Sequence, residues 1–246
     1  METLTYAVEA EIEATHWWFT ERRRLFARII AKLALPGDAR ILDIGTSTGT
    51  NLRMLRELGF VRVEGLDQSE EAVRWCAEKG YGKVTIGDVC QLPFGDGEFD
   101  LVLATDIIEH VDDDAAALRE IRRVLKSGGR ALITVPAFPI LWGVQDEIGQ
   151  HKRRYRAGEL LARTKAAGLS IVKSFYFNYL LFLPILAVRS LVRRSRMNMR
   201  SENELNSPLI NRLLKLVFRF DVWTAPVLHP PFGVSYLALA APAGES

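Results

Sequence analysis

Between residues 40 and 137, short apolar runs alternate with stretches whose apolar positions recur at helical spacing. The runs Arg40–Ile44, 61–66, Lys83–Ile86, 101–104 and 130–135 predict strands, and the stretches 51–58, 70–79 and 113–125 predict helices. Such alternation marks βαβ units, which lay helices on both faces of a parallel sheet. Gly128 and Gly129, just after Lys126, predict a helix stop followed by a turn. Ahead of this core, 9–33 reads as one or two helices; behind it, 158–167 reads as a helix and 170–177 as a strand. The remainder is less regular. Residues 179–194 are strongly apolar and split by Pro184, 195–207 is a polar loop, 208–220 is an amphipathic helix and 233–240 is a last strand. With no internal repeat, the pattern describes one domain over 1–246: a helical cap (1–35), a core (36–177), a helical insertion (178–231) and a final strand with its tail (232–246).

Composition changes this picture little. Hydrophobic residues at 48% and charged residues at 25% are those of a globular protein and exclude a disordered chain. Cys76 and Cys90 have neither metal-ligand spacing nor the number for a disulfide framework, which fits a reducing, cytoplasmic setting. The acidic start of the chain lacks the basic and apolar regions of a signal peptide.

Charge distribution changes more. The net charge is +2, yet 178–231 alone carries +5 and the rest of the chain −3. The stretch from Phe175 to Val188 is apolar apart from Asn178 but interrupted by Pro184. It therefore lacks the roughly 18 consecutive apolar residues of a membrane span. Five arginines follow it between Arg189 and Arg200. A lid packed over a site, a contact with the inner face of an anionic membrane through 178–200, and a homodimer interface are the three readings. Nucleic acid is not expected as a partner, because the sequence shows no known RNA-binding appendage and its positive charge is confined mostly to this insertion.

The run Ile41-Leu42-Asp43-Ile44-Gly45-Thr46-Ser47-Thr48-Gly49-Thr50 delivers a strand through a small-residue turn into a helix. Such a turn lets backbone amides approach a ligand. Asp67 closes the second strand, 22 residues after Gly45, where an acid can accept from ribose hydroxyls. Asp88 follows the third strand, placed to hold an adenine edge. Two other chemistries share parts of this pattern. Gly45 to Gly49 also matches the G-x-S-x-G elbow of a serine hydrolase with Ser47 as nucleophile. A nicotinamide dehydrogenase would need a third glycine where Thr50 stands.

The runs ILDIGTSTGTNLRML, VEGLDQSEEAV, GDVCQLPFGDGEFDLVLATDIIEHVDDD and LREIRRVLKSGGRALITVP resemble the class I methyltransferases that use S-adenosylmethionine, in particular their UbiE/UbiG-like small-molecule branch. The resemblance covers residues 40–136. It implies a Rossmann-like three-layer α/β sandwich on a seven-stranded, mostly parallel sheet, and methyl transfer to oxygen or nitrogen of a hydrophobic or anionic metabolite. A protein that binds S-adenosylmethionine without transferring its methyl is the alternative. The resemblance further implies that Asp43, Gly45, Thr46, Ser47 and Gly49 surround the methionine and ribose portions. Asp67 and Gln68 would face ribose and adenine, Asp88 and Val89 the adenine edge, and Thr105 and Asp106 the methionine moiety. The family's middle glycine is Ser47 here.

Removing a proton from the acceptor calls for a base near neutral pH, and the chain has only four histidines. His110 lies at the mouth of the fourth strand beside Glu109. Two adjacent residues seldom complete a metal site, so no metal is expected. His151 opens the cluster His151-Lys152-Arg153-Arg154-Tyr155, in which His151 and Tyr155 are catalytic candidates and Arg153 and Arg154 are candidates for gripping an anionic substrate. Trp18, in His16-Trp17-Trp18-Phe19, is the candidate substrate contact of the cap.

Overall fold

The computed structural model describes residues 12–195 and 207–244. The expected loop 195–207 and the first residues of the 9–33 helix therefore fall almost wholly outside what is described.

In chain order the elements are α1 (Trp17–Ala31), β1 (Arg40–Ile44), α2 (Thr50–Glu57), β2 (Arg62–Asp67), α3 (Glu70–Glu78), β3 (Lys83–Ile86), β4 (Phe99–Thr105), α4 (Asp114–Val124) and β5 (Leu125–Pro136). A short 3-10 turn (Pro139–Leu141) follows, then α5 (Val144–Ile148), α6 (Ala157–Ala166), β6 (Leu169–Phe177), α7 (Phe182–Ser195), α8 (Pro208–Leu228) and β7 (Ser235–Pro242). The seven strands form one sheet in the order β3-β2-β1-β4-β5-β7-β6. The first five are mutually parallel, and β7 runs antiparallel between β5 and β6.

Strand alternation sorts the core into two layers. Leu42, Ile44, Val102 and Ala104 face α4, where Leu118 and Ile121 are fully buried. Their neighbours Ile41, Leu101 and Leu103 face the opposite side, against Leu25, Phe26 and Ile30 of α1, Leu52 and Leu55 of α2, and Phe218 of α8. Because helices cover both faces, the middles of the central strands are mostly apolar on both sides, which is why they read in the sequence as runs rather than alternations.

The N-terminal cap and the insertion thus belong to one layer. Trp18 stacks on Phe218 with centroids 5.2 Å apart, and the Trp17 amide donates to Asn211 Oδ1 at 2.8 Å. Asp221 anchors the insertion, its carboxylate accepting from the amides of Asn178 (2.7 Å) and Leu180 (2.8 Å).

Two local expectations are corrected. Gly128 and Gly129 do not make a turn but lie within β5, because α4 ends at Val124 and Leu125 is already extended. An irregularity between the Phe99 and Leu101 pairings absorbs the change of register. The last helix also continues past Phe220 to Leu228. Asp221 and Thr224 look polar in sequence, but both are buried and bonded, and Pro226 comes only in the final turn.

Candidate functional site

The chain leaves β1 for β2 and β3 and returns to β4 on the other side of β1, so the sheet's direction of winding switches between β1 and β4. Crevices at such a switch point, beyond the carboxyl ends of the strands, are where this architecture binds ligands. A cavity of about 2170 Å³ opens there, larger than one drug-sized molecule needs and roomy enough for two.

Its floor is the β1–α2 turn. Gly45, Ser47 and Gly49 all have left-handed φ (73°, 48° and 84°), and the Gly45 and Thr46 amides donate to the Leu66 carbonyl. A Cβ on Gly45 would fall 1.8 Å from Ile107 Cδ1, so any other residue would have to displace that side chain from a strained, left-handed backbone. Gly49 caps α2 and is closed off by Tyr81, 2.4 Å from where its Cβ would be. It shapes the turn without lining the cavity. Asp43 is likewise fully buried beneath the turn and accepts from Asn51 Nδ2 at 3.0 Å. Burial pushes its carboxyl up to about 7.

Asp67 ties the first two strand ends together. Its Oδ2 accepts from the Ser47 amide (2.9 Å) and its Oδ1 from the Ser69 amide (3.0 Å). A carboxylate oxygen accepts more than one bond, so Asp67 retains capacity for a hydroxyl on the cavity side. Asp88 Oδ1 accepts from the Cys90 amide at 2.8 Å and lies 3.5 Å from Gln68 Nε2. Gln68, Asp88 and Val89 line the same end of the cavity.

At the end of β4, Thr105 accepts from Asn51, and Asp106 stands at φ 57°, uncommon for a non-glycine residue. Arg22 of the cap donates to Asp106 Oδ2, and Thr134 Oγ1 donates to Oδ1 at 3.1 Å. Arg22 Nε is buried with no hydrogen-bond partner among the described residues. That unsatisfied donor on a cavity-lining guanidinium fits a ligand carboxylate such as that of a methionine moiety.

Opposite lies a second cluster. His151 Nδ1 is 2.8 Å from Asp146 Oδ1, and the His151 ring meets His110 edge to face with centroids 4.7 Å apart. Burial works against ionising Asp146, but the bonds from His151 and Arg154 outweigh it and hold the carboxyl at about 2. Burial, helped by His151, pushes His110 down to about 4. Glu109 is fully buried, and neither of its carboxylate oxygens has a hydrogen-bond partner among the described residues. Burial and the nearby Asp106 charge raise its carboxyl above the ordinary range. One donor atom each from Glu109, His110 and His151 lies within 4.8 Å of the others, a set that suits a divalent cation. His151 is the third donor that the sequence did not reveal.

The cationic cluster divides. Arg154 lines the cavity, but its Nε is bound to Asp146 at 2.7 Å and its Nη1 to the Ala137 carbonyl. Arg153 turns away, onto the Val111 and Asp112 carbonyls and Asp114. Tyr155 does not reach the cavity. It is fully buried, and its hydroxyl donates to Asp114 Oδ2 at 2.6 Å. Burial and the Asp114 carboxylate raise its pKa well above that of a free phenol, so its placement is that of a structural group. Trp18 lines the cavity with one part of its ring while stacking on Phe218 and Phe177.

Two residues of the site, Asp146 and Arg189, are not among those the sequence singled out for it. Asp146 is the hub of the loop, and Arg189 Nη1, reaching in from α7, is 3.5 Å from it. The Asp-x4-His spacing was the only local signal for the first; nothing local signals the second.

A family profile described as a methyltransferase domain matches residues 42–133. The chain is 33% identical over 143 residues to an Arabidopsis thaliana chloroplastic 2-methyl-6-phytyl-1,4-hydroquinone methyltransferase, covering 56% of this chain and 41% of that protein. It is 32% identical over 128 residues to the Macaca fascicularis tRNA (carboxymethyluridine(34)-5-O)-methyltransferase ALKBH8, covering 51% of this chain and 18% of that one. The chain thus spans less than half the length of these curated relatives. In fold it is similar to the methyltransferase solved in complex with the Haloferax volcanii Trm112 activator (TM-score 0.66, 20% identity, 99% of this chain and 96% of that one). The strand-end turn after β1 and the acids after β2 and β3 fall within the matched stretch, so residues 42–133 are similar to a methyltransferase domain, and the chain resembles S-adenosylmethionine-dependent methyltransferases in these motifs.

Proposed function

We propose that this protein transfers the methyl group of S-adenosylmethionine to an oxygen or nitrogen of a small hydrophobic or anionic acceptor, in the cytoplasm. The observation that carries this reading is the two-sided cavity. One side presents the strand-end groups of a nucleoside site: Gly45, Thr46 and Ser47, then Asp67 with Gln68, Asp88 with Val89, and Thr105 with Asp106. The other presents His110, His151 and the apolar side chains Leu181, Ile185 and Val188 of the insertion.

The cofactor supplies an electrophilic methyl group, so the chain has to orient the acceptor, exclude water and take a proton. Arg22 would hold the cofactor carboxylate, and Asp67 the ribose hydroxyls. With Nδ1 engaged by Asp146, His151 keeps Nε2 as the nitrogen able to take the acceptor's proton, a role that holds when Nε2 is not itself bound to a cation together with Glu109 and His110. α7 walls the acceptor side, and Arg189 fastens it to the loop that carries His151. No helix among the described residues is long and apolar enough to cross a membrane.

The test is release of S-adenosylhomocysteine from the purified protein given S-adenosylmethionine and a panel of phenols, quinols, prenyl and acyl phosphates, amines and tRNA. The reading expects turnover with an amphiphilic small acceptor, falling at least about 100-fold in His151→Ala. Turnover with tRNA alone would overturn the acceptor class, and intact binding with no turnover would identify a non-catalytic binding protein.

A further inference from the structure

α8 packs one face on the domain and leaves another uncovered. Leu209, Leu213, Leu216, Phe220, Trp223 and Val227 recur at alternating steps of four and three, so they form one stripe along the whole helix. Each is between 56% and 79% exposed. The opposite face carries Phe218, Val222 and Ala225, which are buried in the core, so the helix has two apolar faces and only one is used.

The polar neighbours of the stripe are nearly all cations. Arg212, Lys215 and Arg219 run along one flank, and Arg24 and Arg28 of α1 border the groove beside Phe220 and Trp223. Arg24 and Arg219 share a single buried carboxylate, Glu21, so positive charge is left over. The helix has one acid, Asp221, and it is buried on backbone amides.

We infer that this face docks on an anionic lipid surface. A stripe with this spacing could in principle seat a second copy of the same helix. In an antiparallel two-fold pair, however, equivalent flanks face one another, which sets Arg212 and Arg219 against their own counterparts with no exposed acid on the helix to meet them. Lipid phosphates supply the missing charge along the whole flank, while Phe220, Trp223 and the leucines enter the acyl boundary. The docking does not depend on the methyl-transfer reading, and its test does not use that activity.

The experiment is co-sedimentation of the full chain with extruded vesicles of phosphatidylcholine alone or of equal parts phosphatidylcholine and phosphatidylglycerol, with and without added salt. The anionic vesicles should retain the protein, added salt should release it, and phosphatidylcholine alone should retain little. Leu213→Glu with Trp223→Glu should weaken retention at least about tenfold, as should Arg212→Glu with Lys215→Glu. Unchanged circular dichroism and S-adenosylmethionine binding show that the variants are folded. Equal retention on both vesicle types, or undiminished retention of the stripe variant, overturns the inference. So does a dimer in sedimentation equilibrium that Leu213→Glu dissociates, because the stripe would then be covered by a second copy.

Discussion

At the scale of single residues, glycine geometry and buried ionisation carry the site. Gly45→Ala forces a left-handed alanine whose Cβ overlaps Ile107. A cost of at least about 1–2 kcal/mol follows from the backbone alone, measurable by urea unfolding, together with loss of cofactor binding. His16 caps α1, its Nδ1 accepting from the Trp18 amide at 3.3 Å, and burial pushes its ring down from 6.5 to about 4. Because the folded value is depressed, its stabilising contribution is complete above pH 6.5 and disappears as pH falls toward about 4. His16→Asn keeps a capping side chain without the proton, so its melting temperature should drop less than wild type between about pH 7 and pH 5. An equal drop would remove His16 from the account. The position of Gly45, Asp67 and Asp88 at strand-end turns was legible in the sequence, because each follows from a local strand-to-helix pattern. Tyr155 was not, because its neighbour in the cluster says nothing about Asp114, 41 positions away.

At the scale of elements, amphipathic and fully apolar segments declared themselves. The five parallel strands and the helices between them appear within a few residues of their expected ends. Misreadings arose where a local signal had a tertiary answer. Gly128 and Gly129 suit a turn, but β4 offers a pairing edge that draws them into β5. The helix expected to end at Phe220 runs on, because the chain at Asn178–Leu180 brings two amides to Asp221 and buries it. Asp221→Asn turns an amide group toward one of those donors and should cost about 1–3 kcal/mol. Chemical unfolding of the variant checks this, and an unchanged midpoint would show that Asp221 does not pin the insertion. The exposed stripe of α8 is the opposite case: periodicity revealed an amphipathic helix, but only the fold shows that two of its faces are apolar.

At the scale of the whole molecule, cap, insertion and sheet enclose one cavity, so cofactor binding should be felt globally. Saturation at a hundredfold excess over the dissociation constant contributes about 2.7 kcal/mol. For a chain of this size that is a rise of about 5–10 °C in melting temperature, visible by scanning calorimetry, and absence of any rise would mean that the cavity is not the binding site. The central claim is that the turn after β1 and the acid after β2 form that site together. Isothermal titration of S-adenosylmethionine and S-adenosylhomocysteine into wild type and Asp67→Ala tests it most directly, with circular dichroism confirming that the variant is folded. Saturable binding by wild type that is lost, or weakened by at least about tenfold, in folded Asp67→Ala is the predicted result. Equal binding by both proteins, or none by wild type, would contradict it.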